Sequence, residues 1–165
     1  DWAVDRLIPD VIRAVATGPS LEIRAPRSTR PWQHVLECLC GYLLLGQKLI
    51  AGERLFADAW NFGPDYECNQ CVEAILEMMQ AQWPLVRWHC SQAVHPHETS
   101  RLYLDSTKAR SLLNWQPVWG LEQAVTQTID WYRSFYQTGT ISTTAQIALY
   151  VQQACANNCS WVCQS

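Results

Sequence analysis

Apolar residues near the start of the chain fall at Leu7, Ile8, Val11, Ile12 and Val15, the spacing of one helix face. This predicts a helix over residues 5–17, capped by Asp5 and stopped by Gly18-Pro19. Leu21-Glu22-Ile23-Arg24 alternates as a short strand. An Arg-rich loop lies between Pro26 and Pro31, and residues 32–35 read as a second brief strand. Residues 36–50 are a strongly apolar helix ended by Ala51-Gly52. Ala59-Trp60-Asn61-Phe62 reads as a buried strand closed by Gly63-Pro64. Residues 72–82 are amphipathic, with Val72, Ile75, Leu76 and Met79 toward the core, and Pro84 stops them. Short extended pieces are expected at 85–88 and 102–104. A helix capped by Asp105 or Ser106 follows, and the last long core helix spans 121–136. Alternating short strands and helices place the chain in the α/β class, as an α+β fragment.

After Gly139 the character changes. Residues 143–154 look helical, and Cys155, Cys159 and Cys163 recur every four residues, which would align them on one helix face. The expected organisation is therefore a domain at 1–137 and an extra helical, Cys-containing and flexible tail at 138–165.

Composition narrows the function classes. The chain has 165 residues, enough for one domain with a real core. Charged residues are only 16%, below the usual quarter, and there are nine Trp. Such a surface suits a neighbouring domain or a ligand cleft. A net charge of -3 gives no footprint for nucleic acid, so none is expected as a partner. Two of the twelve basic residues are Lys, namely Lys48 and Lys108, and the rest are Arg, whose planar fork suits phosphate and carboxylate. Apolar stretches such as Tyr42-Leu43-Leu44-Leu45 are far too short to span a bilayer. With no basic and apolar leader at 1–20, a cytoplasmic location is expected, and a start at Asp1 without Met reads as a cut or processed piece. The eight Cys admit disulfides, but nothing signals secretion. Cys68-Asn69-Gln70-Cys71 lacks a well-spaced second pair for zinc, so the Cys read mainly as small buried thiols.

The run Arg30-Pro31-Trp32-Gln33-His34-Val35-Leu36-Glu37 resembles a signature of the CDP-glucose 4,6-dehydratases. These belong to the extended short-chain dehydrogenase/reductase family of nucleotide-sugar epimerases and dehydratases. Arg6-Leu7-Ile8-Pro9-Asp10, Gly41-Tyr42-Leu43-Leu44-Leu45, Ala59-Trp60-Asn61-Phe62-Gly63-Pro64, His95-Pro96-His97-Glu98 and Leu113-Asn114-Trp115-Gln116-Pro117 agree in order and spacing. The resemblance covers roughly residues 1–137. It implies the C-terminal, substrate-binding part of such an enzyme, lacking most of the Rossmann domain. The family oxidises the sugar C4 with NAD, removes water across C5 and C6, and returns hydride to C6. No glycine here builds a G-x-x-G-x-x-G loop after a strand, and none of the six Tyr has a Lys four residues on. The expectation is that this chain binds no cofactor and carries no catalytic pair, NAD belonging to the full-length family.

The resemblance also implies a binding set. Arg30 is the leading phosphate contact, its alternative being an Arg that holds its own loop. Asn61 lies near the phosphates or simply forms a turn. Arg6 and Leu7 line the nucleotide, while Leu7 and Ile8 also suit a core. His97 and Glu98 stand at the substrate cleft, or are ordinary polar surface. Arg101, at a position where the chain departs from the family pattern, is a candidate substitute for a nucleotide contact. Two departures weigh against full competence: Thr99-Ser100-Arg101 follows Glu98 where Ala, His or Tyr types are expected, and Cys38 stands where the family has Pro. The expected partners are a CDP-sugar nucleotide and either further copies of the chain or the missing Rossmann half. The competing reading is a standalone, non-catalytic binding or oligomerisation module.

Overall fold

Gly18 shows how the sequence punctuates this fold. Its φ of 94° is left-handed, and its N–H closes helix α1 (Leu7–Thr17) on the Ala14 carbonyl. The computed structural model describes residues 2–91 and 101–162. Pro9 sits in the first turn of α1, where its missing N–H costs nothing. Asp5 does not cap α1. Its φ of 59° is left-handed, whereas a cap residue needs extended backbone, and Arg6 takes that position without a side-chain bond.

Strand β1 (Leu21–Ile23) pairs in parallel with β4 (Trp88–Cys90). The sequence placed that second strand at 85–88. It starts later because Pro84 and Leu85 turn and the Val86 N–H returns to the Trp83 carbonyl at 2.9 Å, burying Val86 in the core. Strand β2 (Thr29–Pro31) runs antiparallel to β3 (Asn69–Cys71), with Arg30 opposite Gln70. The strand expected at 32–35 is displaced toward β2, because His34 already caps helix α2 (Val35–Ile50).

Helix α3 (Val72–Gln82) follows β3 directly and packs on helix α5 (Leu121–Thr138). Between these two in the sequence comes helix α4 (Thr107–Leu113), which packs on α2, and before it Asp105 Oδ1 accepts from the Thr107 N–H at 2.8 Å. Ser106 instead donates its hydroxyl to the Gly63 carbonyl at 3.1 Å. The buried strand expected at 59–62 is not a strand. Phe62 is buried but Asn61 is exposed, and no described strand pairs with the segment. Residues 102–104 likewise form no strand, and only an isolated bridge joins Thr29 to Arg101.

Two apolar clusters result. One joins α1, β1, α3 and α5 around Ile12, Ile75, Leu76 and Ile129. The other joins α2, α4 and helix α6 (Thr143–Ala156) around Leu44, Phe62, Trp115 and Tyr150. Among the described residues, helix α6 is tied to the rest of the chain by several polar contacts, one of them from Gln146 to the Gln127 carbonyl. The Trp131 indole donates to Thr143 Oγ1 at 2.8 Å, Tyr150 donates to Glu37 at 2.8 Å, and the Trp119 indole donates to Gln153 Oε1. The helical thiol stripe does not form. Helix α6 ends at Ala156, and Asn158 turns left-handed, sending Cys159 inward while Cys155 stays exposed. Cys163 lies outside the described residues.

Candidate functional site

The junction between β2 and α2 supplies the floor of a cleft of about 980 Å³. Its walls are the start of α1, the end of β1 with the loop after it, and the facing sides of α5 and α6. That volume lies within the range for small-molecule sites. Arg6, Arg24 and Arg30 line it, and so do Asp5, Asp10 and Glu22. All of these charged residues come from the α1, β1 and β2 side. Helices α5 and α6 contribute Thr128, Trp131, Tyr132, Thr143, Gln146 and Ile147, none of them charged. The cleft therefore has a charged side and an uncharged side.

Arg30 is half-buried, held by the β2–β3 pairing, and donates Nη1 to the Thr29 carbonyl at 2.8 Å. That bond orients the guanidinium locally. Arg6 is exposed at the N-cap of α1, and Leu7 lies partly buried beside it against the first cluster. The cleft thus gathers Arg6, Leu7 and Arg30. Asn61 and Arg101 do not line it: Asn61 is exposed beside Phe62, and Arg101 is exposed at its bridge to Thr29. His97 and Glu98 lie outside the described residues.

The sequence reading missed several lining groups. Trp32 donates its indole N–H to the Gln70 carbonyl at 2.8 Å, fixing the ring across β3. Gln33 donates to the Phe62 carbonyl at 2.9 Å, while its buried Oε1 has no partner among the described residues. His34 caps α2 through Nδ1, which accepts from the Leu36 N–H at 3.3 Å, and its ring meets Trp119 edge-on at 4.7 Å. Burial brings its pKa down to about 4, so the imidazole is neutral near pH 7. Three residues on, Glu37 is 1% exposed. It accepts from the Val118 N–H at 3.0 Å, the Trp119 N–H at 2.8 Å and the Tyr150 hydroxyl at 2.8 Å. Desolvation raises its pKa despite those three bonds. Burial likewise pushes the nearby Cys40 thiol up to about 12. The signal for His34 and Glu37 was in the Arg30–Glu37 run itself. That for Gln146 and Ile147 was not, since a mid-helix Gln-Ile pair carries no ligand pattern.

Among the described residues no group of three or more His, Cys, Asp or Glu gathers to hold a metal ion, and no disulfide joins the seven described Cys. Nor is any described helix long and apolar enough to cross a membrane.

The mixture of helices with two small sheets is an α/β fold, consistent with part of a short-chain dehydrogenase/reductase-like domain. No protein-family model matches the chain. It is 41% identical over 136 residues to the CDP-glucose 4,6-dehydratase of Salmonella typhimurium, a stretch covering 82% of this chain and 38% of that enzyme. That identity supports a relation to the nucleotide-sugar dehydratases, and the chain spans less than two fifths of the length of the relative it matches.

Proposed function

We propose that this chain is the nucleotide-sugar-binding portion of a CDP-glucose 4,6-dehydratase, and that its cleft holds the CDP-sugar without turning it over. The observation that carries this reading is the meeting of Arg6, Leu7 and Arg30 in one cleft. Guanidinium forks match the oxygens of a pyrophosphate, and the uncharged side matches the rings at its ends. Residues 1–137 form the ligand-binding domain, and 138–165 are an addition to it. NAD finds no cradle among the described residues. Gly18 and Gly139 adopt left-handed φ where helices α1 and α5 end, not where a helix opens after a strand. No step is therefore drawn through NAD. His97 and Glu98 are assigned as further ligand contacts on the resemblance alone, whereas Asn61 and Arg101, which do not line the cleft, are not assigned to it.

The test is calorimetric titration of CDP and CDP-glucose into the purified chain, with Arg30→Ala and Arg6→Ala. Saturable binding weakened tenfold or more by Arg30→Ala is the expected result. No binding at millimolar ligand, or wild-type affinity in both variants, removes the reading. Turnover of CDP-glucose by this chain, with or without NAD, would overturn its non-catalytic part.

One observation favours a second reading, that of an oligomerisation module. Helix α2 exposes Val35, Leu39, Tyr42, Leu43, Leu49 and Ile50, with Leu43 73% and Ile50 90% exposed. An apolar stripe of that extent is the surface that copies of this chain would cover in each other.

A further inference from the structure

Helix α6 lies beyond the stretch that carries the family resemblance, yet Thr143, Gln146 and Ile147 line the same cleft as Arg6 and Arg30. Resting on the reading of that cleft as a nucleotide-sugar site, we propose that α6 is a ligand-contacting wall, and that Gln146 and Ile147 meet one of the two uncharged, ring-bearing ends of the ligand.

Three observations carry this. First, α6 is fixed rather than loosely placed: Tyr150 is 3% and Ala154 0% exposed, and Tyr150 is bonded to the buried Glu37 of α2. A wall held by such contacts presents its side chains in one arrangement. Second, charge is divided across the cleft, with every charged lining residue on the α1, β1 and β2 side. The guanidinium groups there, beside the carboxylates of Asp5, Asp10 and Glu22, are the donors a pyrophosphate takes, which leaves one of its two ring-bearing ends for α5 and α6. Third, the chemistry of that wall suits a ring with a polar edge. Trp131 stacks one face on Phe135 at an interplanar angle of 12° and anchors its N–H on Thr143, so its position is set. Gln146 is 8% exposed and donates its amide nitrogen to the Gln127 carbonyl, which sets the side chain at the cleft's edge. Ile147 adds apolar surface while standing outside both buried clusters.

Ile147 is 46% exposed, so substitutions there are expected to fold, and equal melting temperatures verify it. The experiment titrates CDP-glucose and inorganic pyrophosphate separately into wild type, Ile147→Ala, Ile147→Glu and Arg30→Ala. If α6 meets the uncharged end, Ile147→Ala weakens CDP-glucose about threefold and leaves pyrophosphate unchanged. Ile147→Glu weakens CDP-glucose tenfold or more, while Arg30→Ala weakens both ligands. Wild-type affinity for CDP-glucose in both Ile147 variants overturns the proposal while the cleft reading stands. Loss of pyrophosphate equal to the loss of CDP-glucose in Ile147→Ala overturns it too. Failure of the wild type to bind either ligand removes the cleft reading, and the proposal with it.

Discussion

Two neighbouring residues, His34 and Glu37, pull the pH dependence of stability in opposite directions. His34 titrates near 4 in the folded chain against 6.5 outside it, so the folded state holds its proton less tightly. Its contribution is full above pH 6.5 and is lost as pH falls toward 4, a swing of about 3 kcal/mol. The Glu37 carboxyl is raised above its ordinary 4.5, so the folded state holds that proton more tightly. Its contribution is full below pH 4.5 and falls as pH rises toward the folded value. Urea denaturation between pH 7 and pH 4 separates them. His34→Asn keeps a capping side chain and is expected to abolish the acid loss, so that stability rises on acidification relative to wild type. Glu37→Gln is expected to steepen the acid loss. At pH 7 it also costs about 2 kcal/mol, because the amide nitrogen faces at least one of the backbone N–H groups of Val118 and Trp119. Equal pH slopes in all three proteins would refute the assignment.

Within single elements, α2 carries two glycines with opposite surroundings. A Cβ at Gly41 would overlap the ring of Phe62, which is itself packed edge-on against Trp115 at 5.3 Å. A Cβ at Gly46 would meet nothing within 4 Å. Alanine is the better helix former at both positions by about 1 kcal/mol. Gly46→Ala is therefore expected to stabilise by about 0.5–1 kcal/mol. Gly41→Ala is expected to destabilise by about 1–2 kcal/mol, since overpacking exceeds the helical gain. Thermal melts of the two variants read the difference, and a stabilised Gly41→Ala would show that Phe62 does not pack there.

The same scale explains what the sequence made legible. Residues 72–82 were readable to the residue, because a helix's bonds and its apolar face are both local. The strands were not. Each has three residues, and where pairing begins depends on a partner far along the chain, as for Leu21 with Trp88. Asn61 was read within a buried strand. Phe62 is buried and Trp60 packs against the second cluster, but Asn61 is exposed, and no described strand pairs with the segment. In the cleft, Arg6, Leu7 and Arg30 were legible through the motif that holds them. The α6 wall was not, because Gln146 and Ile147 gain their meaning only from where tertiary packing sets the helix.

For the whole molecule, the exposed stripe on α2 is what the oligomerisation reading rests on. A stable pair of copies hides about 800 Å² on each partner, and six large apolar side chains on one helix supply a surface of that order. Light scattering at tens of micromolar is expected to show self-association of the wild type. Leu43→Glu places a charge at the centre of the stripe and is expected to give a monomer with an unchanged melting temperature in dilute solution. A wild-type monomer across that range would remove the oligomerisation reading and leave ligand binding untouched.

The bonds that converge on Glu37 span 81, 82 and 113 residues of chain. Contacts so distant in sequence close long loops, and the carboxyl is expected to meet its donors after the rate-limiting barrier to folding. Stopped-flow measurements on Glu37→Gln are then expected to show a refolding rate close to wild type. Unfolding should be roughly tenfold or more faster. A slowed refolding rate would put the carboxyl in the nucleus instead. On that outcome this side chain governs the lifetime of the native molecule, not the speed at which it is reached.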